Sequence, residues 1–161
     1  MLGVLGGDER CPIARALDVL GEKWTLMVVR DALAGSTRFS DFQSSLGIPR
    51  DVLADRLDTL VATGVMARQP YKPANGRTRE EYVLTPAGNE LSLVLLALGD
   101  WADRHRPSQL VPSLEFLDRA TGERARPAAV ARDRVIPTGQ LEVRRRDDAP
   151  ASRTKRHLSS T

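Results

Sequence analysis

From Pro12 the apolar residues recur every three or four positions: Ile13, Ala16, Leu17 and Leu20 share one side of a helix, and Gly21 stops the run. Pro12 suits a first helical turn and leaves Cys11 at or next to the N-cap. A second helix is predicted over 23–34. Its apolar set, Trp24, Met27, Val28 and Leu33, is broad enough to bury most of its surface, and Gly35 ends it.

The next stretch carries most of the meaning. Ser40, followed three residues later by Gln43, has the form of a capping box. A short helix starting there buries Phe42 and Leu46 and ends at Gly47. The Gly47-Ile48-Pro49 turn relaunches the chain into a helix with Leu53, Leu57, Leu60 and Val61 on one stripe. Arg50, Asp51, Asp55 and Arg56 lie off that stripe, and Thr63-Gly64 supplies a left-handed cap. Short helix, tight turn and longer amphipathic helix form the sequence pattern of a helix-turn-helix.

Beyond Gly64 the pattern changes. Residues 65–71 and 80–85 read as short strands. The loop between them carries Asn75-Gly76 at its tip and the cations Lys72, Arg77 and Arg79, a basic β-hairpin or wing. Thr85-Pro86 caps a long helix through about Arg106. On it Leu91, Val94, Leu95, Leu98 and Trp101 form one stripe, and Leu93 and Leu96 a second apolar face. A helix apolar on two sides needs two partners, its own domain and, most simply, a second subunit. The expected dimer interface is Leu91, Val94, Leu95, Leu98 and Trp101, shared with Ile13 and Leu17 of the first helix.

The fold expected is mainly α with a small β-wing (α+β): a winged helix-turn-helix with a long dimerisation helix and a short C-terminal β-like extension. Its expected divisions are a flexible 1–10, a DNA-binding and dimerisation body over 11–106, a β-like extension over 107–146 and a disordered basic tail over 147–161. Within the extension, 114–118, 128–131, 135–136 and 141–143 read as strand-like runs between Gly and Pro punctuation.

Bulk composition narrows this picture modestly. With 161 residues there is room for one domain and an extension. Aromatic residues make up only 4%, so the core must be mostly Leu, Val and Ala. A net charge of +3 suits a polyanionic partner, but the position of the charges has to decide. One cysteine excludes an internal disulfide, and His105 and His157 with a single thiol form no metal cluster, so neither metal nor cofactor is expected. The start lacks the pattern of a signal peptide and the apolar run 93–98 is too short to span a bilayer, which makes a cytoplasmic protein without a membrane partner the expectation.

The residues Cys11-Pro12, Gly21-Glu22-Lys23-Trp24-Thr25-Leu26 and Arg38-Phe39-Ser40-Asp41-Phe42, in that order, closely resemble the HxlR family of bacterial regulators, a branch of the MarR-like winged-helix proteins. The resemblance continues through Leu53-Ala54-Asp55-Arg56-Leu57, Gly64-Val65, Glu81-Tyr82-Val83-Leu84-Thr85-Pro86-Ala87-Gly88 and Trp101, over roughly residues 10–106. Leu-Thr-Pro-Ala-Gly alone occurs across winged helices; the ordered set is specific. The resemblance implies a dimer that represses or activates nearby genes. In some members the cysteine before the first helix senses oxidants or electrophiles.

Each candidate residue has a functional and a plainer reading. Arg50 and Asp51 open the helix expected to enter a major groove, where an arginine bonds guanine O6 and N7. Their plainer role is a solvated helix end, with Asp51 matching the helix dipole. Arg56 either touches phosphate or pairs with Asp55. Lys72, Arg77 and Arg79 follow the phosphate backbone or enter the minor groove, or else solubilise the loop, with Arg79 bracing Glu80 or Glu81. Ser40 and Thr37 can donate to phosphate, although capping alone explains Ser40. A thiolate at Cys11 gains from unpaired helix amides and from Arg10 and Arg15, which suits a redox or electrophile sensor; the alternative is a small packed residue. Trp24 and Trp101 are expected as core and interface anchors. Arg144, Arg145, Arg146 and the tail add nonspecific DNA attraction or merely solvate.

The leading expectation is therefore a sequence-specific regulator, a homodimer on double-stranded DNA, responsive to Cys11 chemistry or a small-molecule effector. A protein–protein adaptor with the same fold is the alternative, and the basic wing and Arg50 speak against it. An enzyme with Cys11 as nucleophile lacks a nearby base, a phosphate loop and paired carboxylates, so no catalytic residue is expected.

Overall fold

The computed structural model describes residues 11–73 and 76–143. The expectations for 1–10, Asn75, Arg144–Arg146 and the tail 147–161 fall outside them. The order is α1 (Pro12–Leu20), α2 (Lys23–Leu33), α3 (Phe39–Leu46), α4 (Arg50–Ala62), β1 (Met66–Tyr71), β2 (Arg79–Leu84), α5 (Pro86–His105), β3 (Ala129–Ala131) and β4 (Arg134–Ile136). The fold is the expected α+β winged helix. Among the described residues, no helix is long and apolar enough to cross a membrane.

The core follows from the α4 stripe. Leu53, Leu57 and Leu60 are fully buried and close over Val28 and Val29 of α2, Phe42 of α3, Ile48 of the turn and Met66 of β1. Burying a leucine side chain contributes roughly 1.5–3 kcal/mol, so these three do most to seat α4. Central to the body is α2, which packs against α1, α3, α4, α5 and β2. The turn into α4 works as the sequence suggests: Gly47 ends α3 at φ 59°, and Pro49 is the N-cap of α4.

The expected start of α3 fails. The capping box at Ser40 does not form: α3 starts at Phe39, its N-cap is Arg38, and no side chain caps it. Ser40 sits inside the first turn, where its hydroxyl donates to Asp41 Oδ1 at 3.2 Å. Tertiary contacts set this helix start instead. Phe39 packs on the core, and the Thr37 carbonyl accepts from the Tyr82 amide at 2.7 Å.

Strands β1 and β2 form an antiparallel hairpin with Met66 opposite Leu84 and Tyr71 opposite Arg79. The following Leu84-Thr85-Pro86-Ala87-Gly88 stretch is a joint. The Thr85 hydroxyl accepts from the Gly88 amide at 3.2 Å, which caps α5, and donates to the Gly64 carbonyl at 2.6 Å. Gly88 is buried so tightly that a Cβ there would lie 2.2 Å from the Val65 carbonyl oxygen. Only glycine permits that approach of α5 to the end of α4.

The described residues fall into two compact units, divided between Pro127 and Ala128. In the first, the segment after α5 lies along that helix, with Arg124 paired to Asp103 at 2.9 Å. The strand expected over 114–118 is reduced to one bridge, Leu117 to Arg124. In the second, β3 and β4 form a small hairpin pairing Val130 with Val135. The run 141–143 forms no strand; it follows a 3-10 turn over Thr138–Gln140.

Candidate nucleic-acid interface

The buried leucines of α4 determine which way its other face looks. Arg50 and Asp51, in the first turn, are exposed. The Arg50 guanidinium lies 4.9 Å from the centre of the Phe39 ring at the start of α3. Arg56 is half-buried and bonds Asp55 Oδ2 at 2.5 Å, which is the pairing alternative rather than a free cation. Ser40 is exposed near the α3 start, while Thr37 is occupied, donating to Glu81 Oε2 at 2.8 Å.

In the wing, Lys72, Arg77 and Arg79 are all exposed. The alternative reading of Arg79, bracing Glu80 or Glu81, has no ion pair behind it among the described residues: Glu81 accepts from Thr37, and Glu80 lies 3.8 Å from Arg68. Sequence reasoning missed Arg68. It bonds Asp58 of α4 at 2.5 Å and lies over the Tyr82 ring, tying the wing to the helix behind its leading turn. Tyr82 first, then Asp58 and Glu80, raise its pKa above the ordinary arginine value. Two acidic partners already balance that charge. Arg38 was also missed as a candidate: exposed at the α3 N-cap, it lies 4.7 Å from the Tyr71 ring centre at the base of the wing.

A second surface is apolar. Ile13 and Leu17 of α1 are 68% and 44% exposed, and α1 buries no residue. On α5 the predicted stripe divides. Leu91 and Leu95 are half-buried and pack against the core. Val94, Leu98 and Trp101 remain exposed, together with Leu93 at 62%. His105 lies against Trp101 with ring centres 5.3 Å apart. Trp24 does pack against the core. Cys11 is half-buried at the N-cap of α1, and its side chain makes no capping bond.

The comparisons agree with this layout. The profile of the HxlR-like helix-turn-helix family matches residues 19–110. The HTH-type transcriptional regulator Rv3095 of Mycobacterium tuberculosis, itself uncharacterized, is 37% identical over 118 residues, 73% of each chain. Among solved structures, the candidate transcription factor PA1607 superimposes with a TM-score of 0.70 at 34% identity, over 86% of this chain and 96% of its own. The reduced form of the redox regulator HypR gives 0.53 at 29% identity, over 60% of this chain and 94% of its own. Buried α4 stripe, exposed leading turn, basic hairpin and family match converge on one assignment: the chain belongs to the HxlR-like helix-turn-helix family of DNA-binding transcriptional regulators.

Proposed function

We propose that the chain acts as a homodimer on a two-fold-related DNA site, with α4 of each protomer in a major groove. The observation that carries this reading is the orientation of α4. Its three leucines are locked into the core, so Arg50 and Asp51 are held outward at its leading end. In a helix-turn-helix that end meets base edges, and dimers span half-sites about 34–36 Å apart. Lys72, Arg77 and Arg79 follow the flanking backbone, and Ser40 stands near the same phosphates. The exposed Ile13, Leu17, Val94, Leu98 and Trp101 form the subunit seam.

Cys11 is the place where an oxidant or electrophile acts in this reading. It is half-buried at the start of α1, two residues before exposed Ile13, and the similar HypR is a redox regulator. Oxidation there repacks the seam and so changes the relative setting of the two α4 helices. Diamide should weaken or strengthen DNA binding of the wild type and leave Cys11→Ser unchanged; an equal response from both removes Cys11 from the account.

The DNA-binding test is fluorescence anisotropy on a duplex selected by the protein from genomic fragments, beside a scrambled duplex, over a range of salt. Tight, sequence-dependent binding that weakens steeply with salt is the expected result. Arg50→Glu with Arg77→Glu should abolish it while leaving a folded dimer. An adaptor would tolerate both changes, and failure to enrich any fragment would overturn the DNA reading.

A further inference from the structure

Four arginines around the helix-turn-helix and wing differ in whether a carboxylate holds them. Arg56 and Arg68 are held by carboxylates, Asp55 for the first, Asp58 and Glu80 for the second. Arg38 and Arg50 make no ion pair among the described residues; each lies over an aromatic ring, at 4.7 and 4.9 Å from its centre. The distinction matters chemically. A carboxylate consumes the N–H edge of a guanidinium, whereas a ring holds its flat face and leaves the in-plane donors free for a phosphate or a base edge.

The connectivity adds a second point. Arg38 and Phe39 are consecutive, and they meet different elements. Arg38 lies over Tyr71, the last residue of β1 at the base of the wing, while Phe39 lies under Arg50, the first residue of α4. One peptide unit at the α3 N-terminus thus joins wing base to recognition-helix tip. That unit is fixed from behind: the Thr37 carbonyl accepts from the Tyr82 amide at 2.7 Å, and the Thr37 hydroxyl donates to Glu81 at 2.8 Å.

We propose that Arg38 is a further contact to the DNA backbone, and that Tyr71 and Phe39 are positioning residues that hold Arg38 and Arg50 ready for phosphate and base edge respectively. This rests on the reading of α4 as the DNA-reading helix. Long arginine side chains otherwise lose rotamer freedom on binding. The rings restrict them beforehand, so the wing and the helix tip engage DNA as one preset unit.

The test is a pair of double-mutant cycles read by anisotropy, on the selected duplex and its scrambled counterpart, across salt. Arg38→Ala should weaken binding to both duplexes alike and make the salt slope shallower by about 0.9 for each protomer's lost phosphate contact. Tyr71→Leu should weaken binding about two- to five-fold for each protomer, because Arg38 then gives up its rotamer freedom only on binding, and Tyr71→Phe should bind as wild type. In an Arg38→Ala background Tyr71→Leu should cost nothing more, because the ring acts only through the arginine. The Phe39→Leu and Arg50→Ala cycle should behave likewise, but with the loss in preference for the selected duplex.

Phe39 packs on the core, so thermal melts accompany every variant. Tyr71 lies outside that cluster, and its arm decides the question if Phe39→Leu does not fold. Additive losses in the Tyr71–Arg38 cycle, or a Tyr71→Leu protein indistinguishable from wild type, overturn the positioning role while the DNA reading stands. An Arg38→Ala protein with an unchanged salt slope overturns the backbone contact. A wild type with no preference between the duplexes overturns the DNA reading and this inference together.

Discussion

Helices α4 and α5 are both amphipathic, yet the chain treats them oppositely. The 13 residues of α4 include three fully buried leucines, whereas the 20 residues of α5 bury only Gly88. The longer helix carries more aliphatic surface but leaves Leu93, Val94, Leu98 and Trp101 in solvent. Apolar content alone therefore does not say whether a helix is finished by its own fold. The body around α4 is closed by its own chain; α1 and α5 leave apolar side chains exposed, the surface proposed above as the subunit seam.

Substitutions can break that contrast or sharpen it. The largest effect is expected at Leu57, fully buried in α4. Leu57→Ala should lose about 2–5 kcal/mol of folding stability in denaturant unfolding, a large share of what a small domain has. An aspartate pair on α5, Val94→Asp with Leu98→Asp, should leave the far-UV circular dichroism intact and instead sever the dimer. Losing the second linked module should weaken binding to the selected duplex on the order of 100-fold. If that pair lowers folding stability as much as Leu57→Ala does, the two helices are not different in kind.

The smallest effect belongs to the joint between the two regions. Thr85 caps α5 and at the same time donates to the Gly64 carbonyl at the end of α4. Thr85→Ala should cost about 1 kcal/mol in a thermal or denaturant melt, as lost helix caps do. Because the same hydroxyl serves both helices, folding and dimerisation should weaken together. A change in one without the other would separate the regions further than the structure suggests.

What the sequence disclosed was what depends on near neighbours along the chain. The α4 stripe, the Gly47 and Gly64 helix ends and the Thr85 cap are all set by residues within a few positions, and each is legible before any fold is known. The start of α3 was not, because a core contact of Phe39 and a hydrogen bond from β2 outweigh a local capping pattern. The α5 stripe was read as one face; in space Leu91 and Leu95 turn to the core while Val94, Leu98 and Trp101 turn away.

Partnerships across elements were equally hidden. No periodicity announces that Arg38 meets Tyr71 or that Arg68 meets Asp58. Nor does anything in the pattern single out Asp31, which is buried in α2 against Arg30 at 2.6 Å with its Oδ2 left without a partner among the described residues. Of the candidate site, Arg50, Asp51 and the wing cations came from the motif and stand exposed; the rings beside Arg38 and Arg50 emerge only in three dimensions.

The most direct test of the two-region account is sedimentation equilibrium of the full chain at low micromolar concentration, beside the Val94→Asp, Leu98→Asp variant. The account predicts two chain masses for the wild type and one for a variant that is still helical. A wild type that sediments as a single chain, at concentrations where it binds its selected duplex, would contradict it.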